Sequence, residues 1–369
     1  MFMRTLIIQK RFHANSIGLV QALKKYGHEV RMIVHIKSST STTEDHSILD
    51  PIHVPYYGLF EKLHGFFYGK TINRFAIPCI GRIVREIRSF RPDIVVLKKS
   101  RMPNLVISAI LKIFGIKRVL LTNSPPASEP MWLGKLFKTI GVLPKDRICT
   151  TISNSSPIKD GWVYGVRFIP YPIETFSVGN RSVKTGEMIK ILCVCSLNSK
   201  RKRPWWVIEA VHRAGIGNQV EMTFVGVGSK DSWGAKRIQE CAENYDLIDQ
   251  VKTHYNIPHP EMQKIYTEQN ILVHPALSEP FGMVVLEAMA GGLAVVCSDE
   301  TGAKSCFRDG ESGLVFPAQS LDKLAEHLRT LCLKPELIAK IGNQAQRTVA
   351  QHYSGEAFIG HLESLVEHH

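Results

Sequence analysis

Two carboxylates, Glu279 and Glu287, stand eight positions apart in a segment that runs from Ser278 to Gly292. Pro280, Phe281 and Gly282 follow the first, and the apolar run Met283 to Leu286 leads to the second. The pattern predicts a loop after the strand Ile271-Leu272-Val273, then a helix, then a strand over Leu293 to Cys297. With ~3.6 residues per turn, Glu287 falls about one and a half turns into that helix. Carboxylates at these two places accept hydrogen bonds from sugar or ribose hydroxyls. The free amides of the helix start, near Phe281 and Gly282, favour an anion. Together they suit a sugar joined to a diphosphate. A blander reading makes Glu279 a helix-start charge and Glu287 part of a solvated face. It does not explain why an apolar helix opens on Glu-Pro-Phe-Gly, nor why Gly291-Gly292 ends it.

This segment resembles the E-x7-E signature of retaining glycosyltransferases of family 4. The resemblance rests on Glu279-Pro280-Phe281-Gly282, Glu287, Ala288-Met289-Ala290, Gly302, Asp309-Gly310 and Gly313. It implies an α/β protein of the GT-B fold, with two Rossmann-like, doubly wound parallel-sheet domains facing across a cleft. It also implies that Glu279 hydrogen-bonds the donor sugar or lies beside its anomeric carbon, that Glu287 binds ribose, and that Phe281, Gly282 and Met283 offer backbone groups to the sugar and diphosphate. Net retention of configuration comes with the family. Ile208-Glu209-Ala210 sets the register of a second family element, and Lys202 then falls on the family lysine. A leaving diphosphate builds negative charge, and a fixed cation stabilises it. The family arginine falls near Ser196, which is not basic, so Lys200, Arg201 or Arg203 would have to supply that charge. Gly226 and Gly228, after a strand, would line the nucleotide side, although a tight turn is the plainer explanation. No Asp-x-Asp pair occurs, so neither a metal nor another cofactor is expected.

The acceptor side departs further. In place of a Gly-Gly loop after the first strand, the chain has Lys10 to Ser16. There His13 is a candidate base or acceptor ligand, although a lone loop histidine is more often neither, and Asn15 or Ser16 could simply cap a helix. The catalytic-loop histidine has no clear counterpart. Lys98, Lys99, Arg101, Asn123 and Ser124 are the candidates nearby, and they point to an anionic acceptor.

The elements that must position these residues alternate strand and helix along all 369 residues, the pattern of doubly wound sheets. At this length two domains are expected. The boundary falls at 1–170 and 171–369, and in GT-B proteins the last helix packs back on the first domain. Strands are predicted at Arg4–Gln9, Glu29–His35 and Lys190–Cys195, and helices at Ile17–Tyr26, Ile80–Phe90 and Pro204–Arg213. Charge is lopsided. Residues 1–170 hold 26 Lys+Arg against 10 Asp+Glu, whereas the rest hold 20 against 23. A basic half implies an anionic partner. Tyr57–Arg74 and Trp132–Lys138 mix aromatic and basic residues, as an ordinary amphipathic core helix with snorkelling cations would, or a segment lying in an anionic leaflet. The eight scattered cysteines fit a reducing compartment, and no leader or spanning run is evident.

The expectation is therefore a retaining glycosyltransferase of the cytoplasm, peripheral at the inner membrane face. It would take a UDP-sugar, or next a GDP-sugar, and glycosylate a lipid-linked or anionic glycan acceptor. An NAD(P) enzyme would need Gly-x-Gly-x-x-Gly after the first strand, which is missing from Lys10 to Gly18. A catalytically degenerate GT-B-fold binding protein is the other alternative. A nucleic-acid partner is not expected, and such binding would fall steeply with salt.

Overall fold

The computed structural model describes residues 2–9, 16–35, 49–55, 78–98, 101–122, 146–150, 158–159, 162–163, 166–176, 183 and 186–367. The chain forms two compact units, the second running Ile173–Ser354.

In the first unit, nine described strands form one sheet: β1 (Arg4–Gln9), β2 (Glu29–Val34), β3 (Ile52–His53), β4 (Ile94–Lys98), β5 (Lys117–Thr122), β6 (Asp146–Cys149), β7 (Ile158–Lys159), β8 (Trp162–Val163) and β9 (Val166–Phe168). Their order is β3-β2-β1-β4-β5-β6-β9-β8-β7. All pairs are parallel except β7 with β8 and β8 with β9. β4 is buried along its whole length, the continuous apolar run of a strand covered on both faces. Helices α1 (Ile17–Lys25), α2 (Ile80–Phe90) and α3 (Arg101–Ile113) connect the strands. In α2 the spacing of Ile83, Ile87 and Phe90 puts one stripe into the core, while Arg82, Arg85 and Arg88 remain exposed. The chain returns to this unit after Ser354, where α10 (Gly355–Glu367) packs on α1. Tyr171 and Pro172 also stay here, with Tyr171 fully buried.

The second unit repeats the plan. Strands β10 (Ile189–Val194), β11 (Val220–Gly226), β12 (Val251–Tyr255), β13 (Ile271–His274), β14 (Ala294–Ser298) and β15 (Leu314–Phe316) pair in the order β12-β11-β10-β13-β14-β15, all parallel. Helices α4 (Trp206–Ala214), α5 (Trp233–Asn244), α6 (His259–Thr267), α7 (Met283–Ala290), α8 (Leu321–Leu333) and α9 (Glu336–His352) pack around it. In each unit the first strand sits third in the order, and the sheet winds outward from it both ways. That is the Rossmann order, and its ligand edge lies where the winding reverses, outside the carboxyl ends of the strands. In the second unit this edge is formed by the ends of β10 and β13. No described helix is long and apolar enough to cross a membrane.

Helix α4 begins two residues later than the sequence predicts. Arg203 adopts a left-handed backbone, φ 47°, and Pro204 and Trp205 complete a turn before the first helical residue, Trp206. Gly226 closes β11 rather than opening the loop after it.

Candidate functional site

At the carboxyl edge of the second sheet, two loops are laced together. After β10 the basic segment coils into a short 3-10 turn, Lys200–Lys202. After β13 comes the loop that carries Glu279. The Leu277 amide donates to the Arg201 carbonyl at 2.7 Å, and the Arg201 guanidinium donates to the Ser278 carbonyl at 2.7 Å. On its other side the Glu279 loop is tied to the segment after β14. Glu279 N–H donates to Glu300 O at 3.0 Å, Gly302 N–H to Glu279 O at 3.1 Å, and Ala303 N–H to Phe281 O at 2.8 Å. The loop that carries Glu279 is thus fixed by backbone pairing on both sides.

The cations of the turn have separate destinations. Lys200 lies over the Trp233 ring at 5.3 Å. Arg203 is buried, donates to the carbonyls of Pro275 and Ala318, and stacks on Trp206 at 3.7 Å. Lys202 turns inward and ion-pairs with Glu279. Their side chains retain only 11% and 13% exposure, so the pair is shielded yet reachable. Burial, aided by neighbouring Arg201 and opposed by Cys195 and Cys193, lowers the Lys202 pKa to about 8. Cys193 and Cys195 share the strand face behind Lys202, and the hydrogen bond between their thiols, with burial, raises the Cys193 pKa.

Helix α7 starts directly after Glu279. Gly282 opens it with φ +91°, a conformation that suits glycine. A Cβ here would lie 3.1 Å from the Thr301 methyl and 3.2 Å from Glu279 Cγ, so the position is closed to side chains twice over. The first helical amides, of Met283 and Val284, have no acceptor inside the helix, and no side chain caps them. Phe281 buries its ring. Helix α7 is apolar almost all round, with Val285, Leu286, Ala288, Met289 and Ala290 buried. Its one carboxylate therefore needs a partner, and Tyr266 OH donates to Glu287 Oε2 at 2.7 Å. Glu287 Oε1 lies 3.7 Å from His259 Nε2. Burial and the Glu287 charge hold the Tyr266 hydroxyl well above its usual pKa. Glu287 is thus an anchored group with 22% exposure, and the solvated-face reading does not hold.

Gly226 and Gly228 serve close approach. A Cβ on Gly226 would sit 2.2 Å from the Cys195 carbonyl, and both backbone groups of Gly228 are taken by the Asn256 side chain. Among the acceptor-side candidates, Lys98 and Ser16 come together at the carboxyl edge of the first sheet. Lys98 Nζ donates to Ser16 Oγ at 3.0 Å, and Ser16 donates to Gln9 Oε1 at 3.0 Å. Burial brings the Lys98 pKa down to about 8, and its ammonium lies 4.9 Å from the Tyr171 ring centroid. His13, Asn15, Lys99, Asn123 and Ser124 lie outside the described residues, as do Tyr57–Arg74 and Trp132–Lys138. The Arg101 side chain is outside them too.

Sequence reasoning missed His274, the last residue of β13. It is 2% exposed, its Nε2 is 3.6 Å from Glu279 Oε2, and neither ring nitrogen has a hydrogen-bond partner. Burial first, then Lys202 and Arg201, lower its pKa to about 3, so the ring is neutral. The only signal in the sequence was a histidine ending an apolar strand just before the acidic loop.

Two Rossmann-like units, the second carrying this site, make up the GT-B fold. Residues 180–348, a little under half of the chain, match the family of glycosyl transferases group 1. It is 28% identical over 110 residues to a D-inositol 3-phosphate glycosyltransferase of Streptomyces bingchenggensis, a match covering 30% of this chain and 24% of that protein. It is 24% identical over 230 residues to WcaL of Salmonella typhimurium, named for colanic acid biosynthesis, over 57% of this chain and 55% of that one. The matches thus span about a quarter and about half of those relatives' lengths. Anabaena Alr3699/HepE, solved in complex with UDP and glucose, shares the fold with a TM-score of 0.66 at 16% identity, covering 98% of this chain and 100% of that one.

Proposed function

We propose that the protein transfers a sugar, with retention of configuration, from a nucleoside-diphosphate sugar to a lipid-linked or anionic glycan in the synthesis of a cell-surface polysaccharide or glycoconjugate. UDP is the favoured carrier, with GDP next. The observation that carries this reading is the convergence at one sheet edge of Lys202, Glu279, the open amides of α7 and Glu287. The bond from the sugar's C1 to the diphosphate breaks, and its electrons leave on the phosphate oxygen. The acceptor oxygen bonds to C1 and releases its proton. Lys202 and the α7 amides meet the growing phosphate charge, which removes the need for a metal. Glu279 faces the sugar, and Glu287, anchored by Tyr266, receives the ribose hydroxyls.

The names of WcaL and of the UDP-bound Anabaena protein support the donor class and the setting. The basic first half, with Lys98 and Ser16, supports an anionic acceptor there and peripheral contact with an anionic membrane from the cytoplasmic side.

A thermal-shift screen of UDP, GDP, ADP and CMP, with EDTA present, tests the reading. A ligand at 100 times its Kd stabilises by about 2.7 kcal/mol. One nucleoside diphosphate should stabilise wild type strongly and Glu287→Gln weakly. If none stabilises wild type, the donor site is wrongly assigned.

A further inference from the structure

The Lys202–Glu279 pair poses a problem for the donor site. The ammonium that should meet a diphosphate is held by a carboxylate. A diphosphate carries more charge than one carboxylate and draws the ammonium away. Glu279 is then left nearly buried with its charge uncompensated, a costly arrangement.

We propose that His274 is a positioning residue that takes over Glu279 at this moment, donating its Nε2–H to the carboxylate as Lys202 moves to the diphosphate. This rests on the donor-site reading above. Four observations carry it. Among the described residues, Lys202 and His274 are the titratable side chains paired with Glu279. The other groups around them are committed: Arg201 to Ser278 O, Arg203 to Pro275 O and Ala318 O, while Cys193 and Cys195 sit behind Lys202. Thr301 turns its methyl to this corner, and Gly282 has no side chain. Finally, both His274 ring nitrogens lack a partner although fully enclosed, and Nε2 is 3.6 Å from Glu279 Oε2. An N–H···O bond closes at about 2.9 Å, so a shift well under 1 Å completes it.

Buried polar groups without partners are rare, and this one has its partner just out of reach. A neutral imidazole suits the exchange. It offers one N–H to the carboxylate and adds no positive charge to compete with Lys202 for the phosphates.

Calorimetric titration of UDP, in buffers of different ionisation enthalpy, counts the protons taken up on binding. If the thermal-shift screen selects another diphosphate, that one is used. Wild type, His274→Gln and His274→Phe are compared, with the matching monophosphate as control because it lacks the β-phosphate. In His274→Phe the stranded Glu279 should take a proton instead. That variant should gain about one proton more per diphosphate than wild type and bind it about tenfold more weakly. His274→Gln, which keeps an N–H near the Nε2 position, should behave as wild type, and the monophosphate should produce no difference. Equal proton counts and equal affinities in all three proteins would overturn the exchange while leaving the donor site standing. No binding of any diphosphate to wild type would remove both. If His274→Phe does not fold, wild type labelled with 15N-histidine gives the answer: the His274 Nε2–H resonance should move downfield with the diphosphate and not with the monophosphate. An unmoved resonance would refute the proposal.

Discussion

Each sheet holds a shielded lysine at its carboxyl edge, where the strand order reverses, and the two are used differently. Lys98 ends β4 and Lys202 follows β10, and burial lowers each to a pKa of about 8. Lys98 donates to a serine hydroxyl that itself leans on Gln9, beneath the Tyr171 ring. Lys202 closes on a carboxylate, with a neutral histidine beside it. The same fold and the same desolvation thus give a cation donating to a hydroxyl in one unit and a closed ion pair in the other. The lesson is that topology sets where a charge sits, while the neighbouring loop sets what the charge does. In the second unit that loop is pinned by backbone bonds to segments on both sides, and the first α7 amides open next to it.

The largest expected effect breaks the symmetry outright. Lys202→Met should lower kcat/KM by about 10²–10³-fold, the scale for losing one group that stabilises transition-state charge. Lys98→Met should leave affinity for the nucleoside diphosphate within about twofold, a bound set well below the ~1.4 kcal/mol that a tenfold change needs. Equal loss of diphosphate affinity in both variants would mean that the two lysines share one role.

Next in size is Gly282→Ala. The φ of +91° and the contacts with Thr301 and Glu279 predict a loss of about 1–3 kcal/mol in urea unfolding, with weaker diphosphate binding as Glu279 is displaced. Unchanged stability would show that α7 tolerates another opening.

The pH profile sharpens the comparison. The Lys202 pKa lies below that of a free lysine, so its ammonium is lost near pH 8 rather than near 10.5. Diphosphate affinity should hold below that point and fall about tenfold per pH unit above it, by proton linkage. Lys202→Arg should flatten the profile, because a guanidinium remains charged. A wild-type profile flat to pH 10 would contradict the assignment.

The smallest effect concerns Glu287. Tyr266→Phe removes one hydrogen bond to the carboxylate, and about 1 kcal/mol, a several-fold loss of diphosphate affinity, is expected by titration.

Much of this was readable in the sequence because local pattern and tertiary role agree. The apolar runs of β1, β4 and β13, the alternating arginines of α2, and the spacing of Glu279 and Glu287 each name an element or a face. What was hidden depends on direction rather than residue type. The Ile208-Glu209-Ala210 register singles out Lys202 among the four successive basic residues Lys200 to Arg203, but does not show that it pairs with Glu279 while the 3-10 turn and the left-handed Arg203 point the others elsewhere. His274 looked like a strand residue, and only its burial against Glu279 marks it. Pro204 suggested a helix start, but the backbone at Arg203 delays the helix to Trp206.

The central claim is that a nucleoside diphosphate opens the Lys202–Glu279 pair. A crystal structure with the diphosphate selected by the thermal-shift screen tests it most directly. The β-phosphate should lie on Lys202 Nζ and the amides of Met283 and Val284, the ribose hydroxyls on Glu287, and His274 Nε2 within hydrogen-bonding distance of Glu279. A diphosphate bound elsewhere, or one bound here with Lys202 still on Glu279, would contradict it.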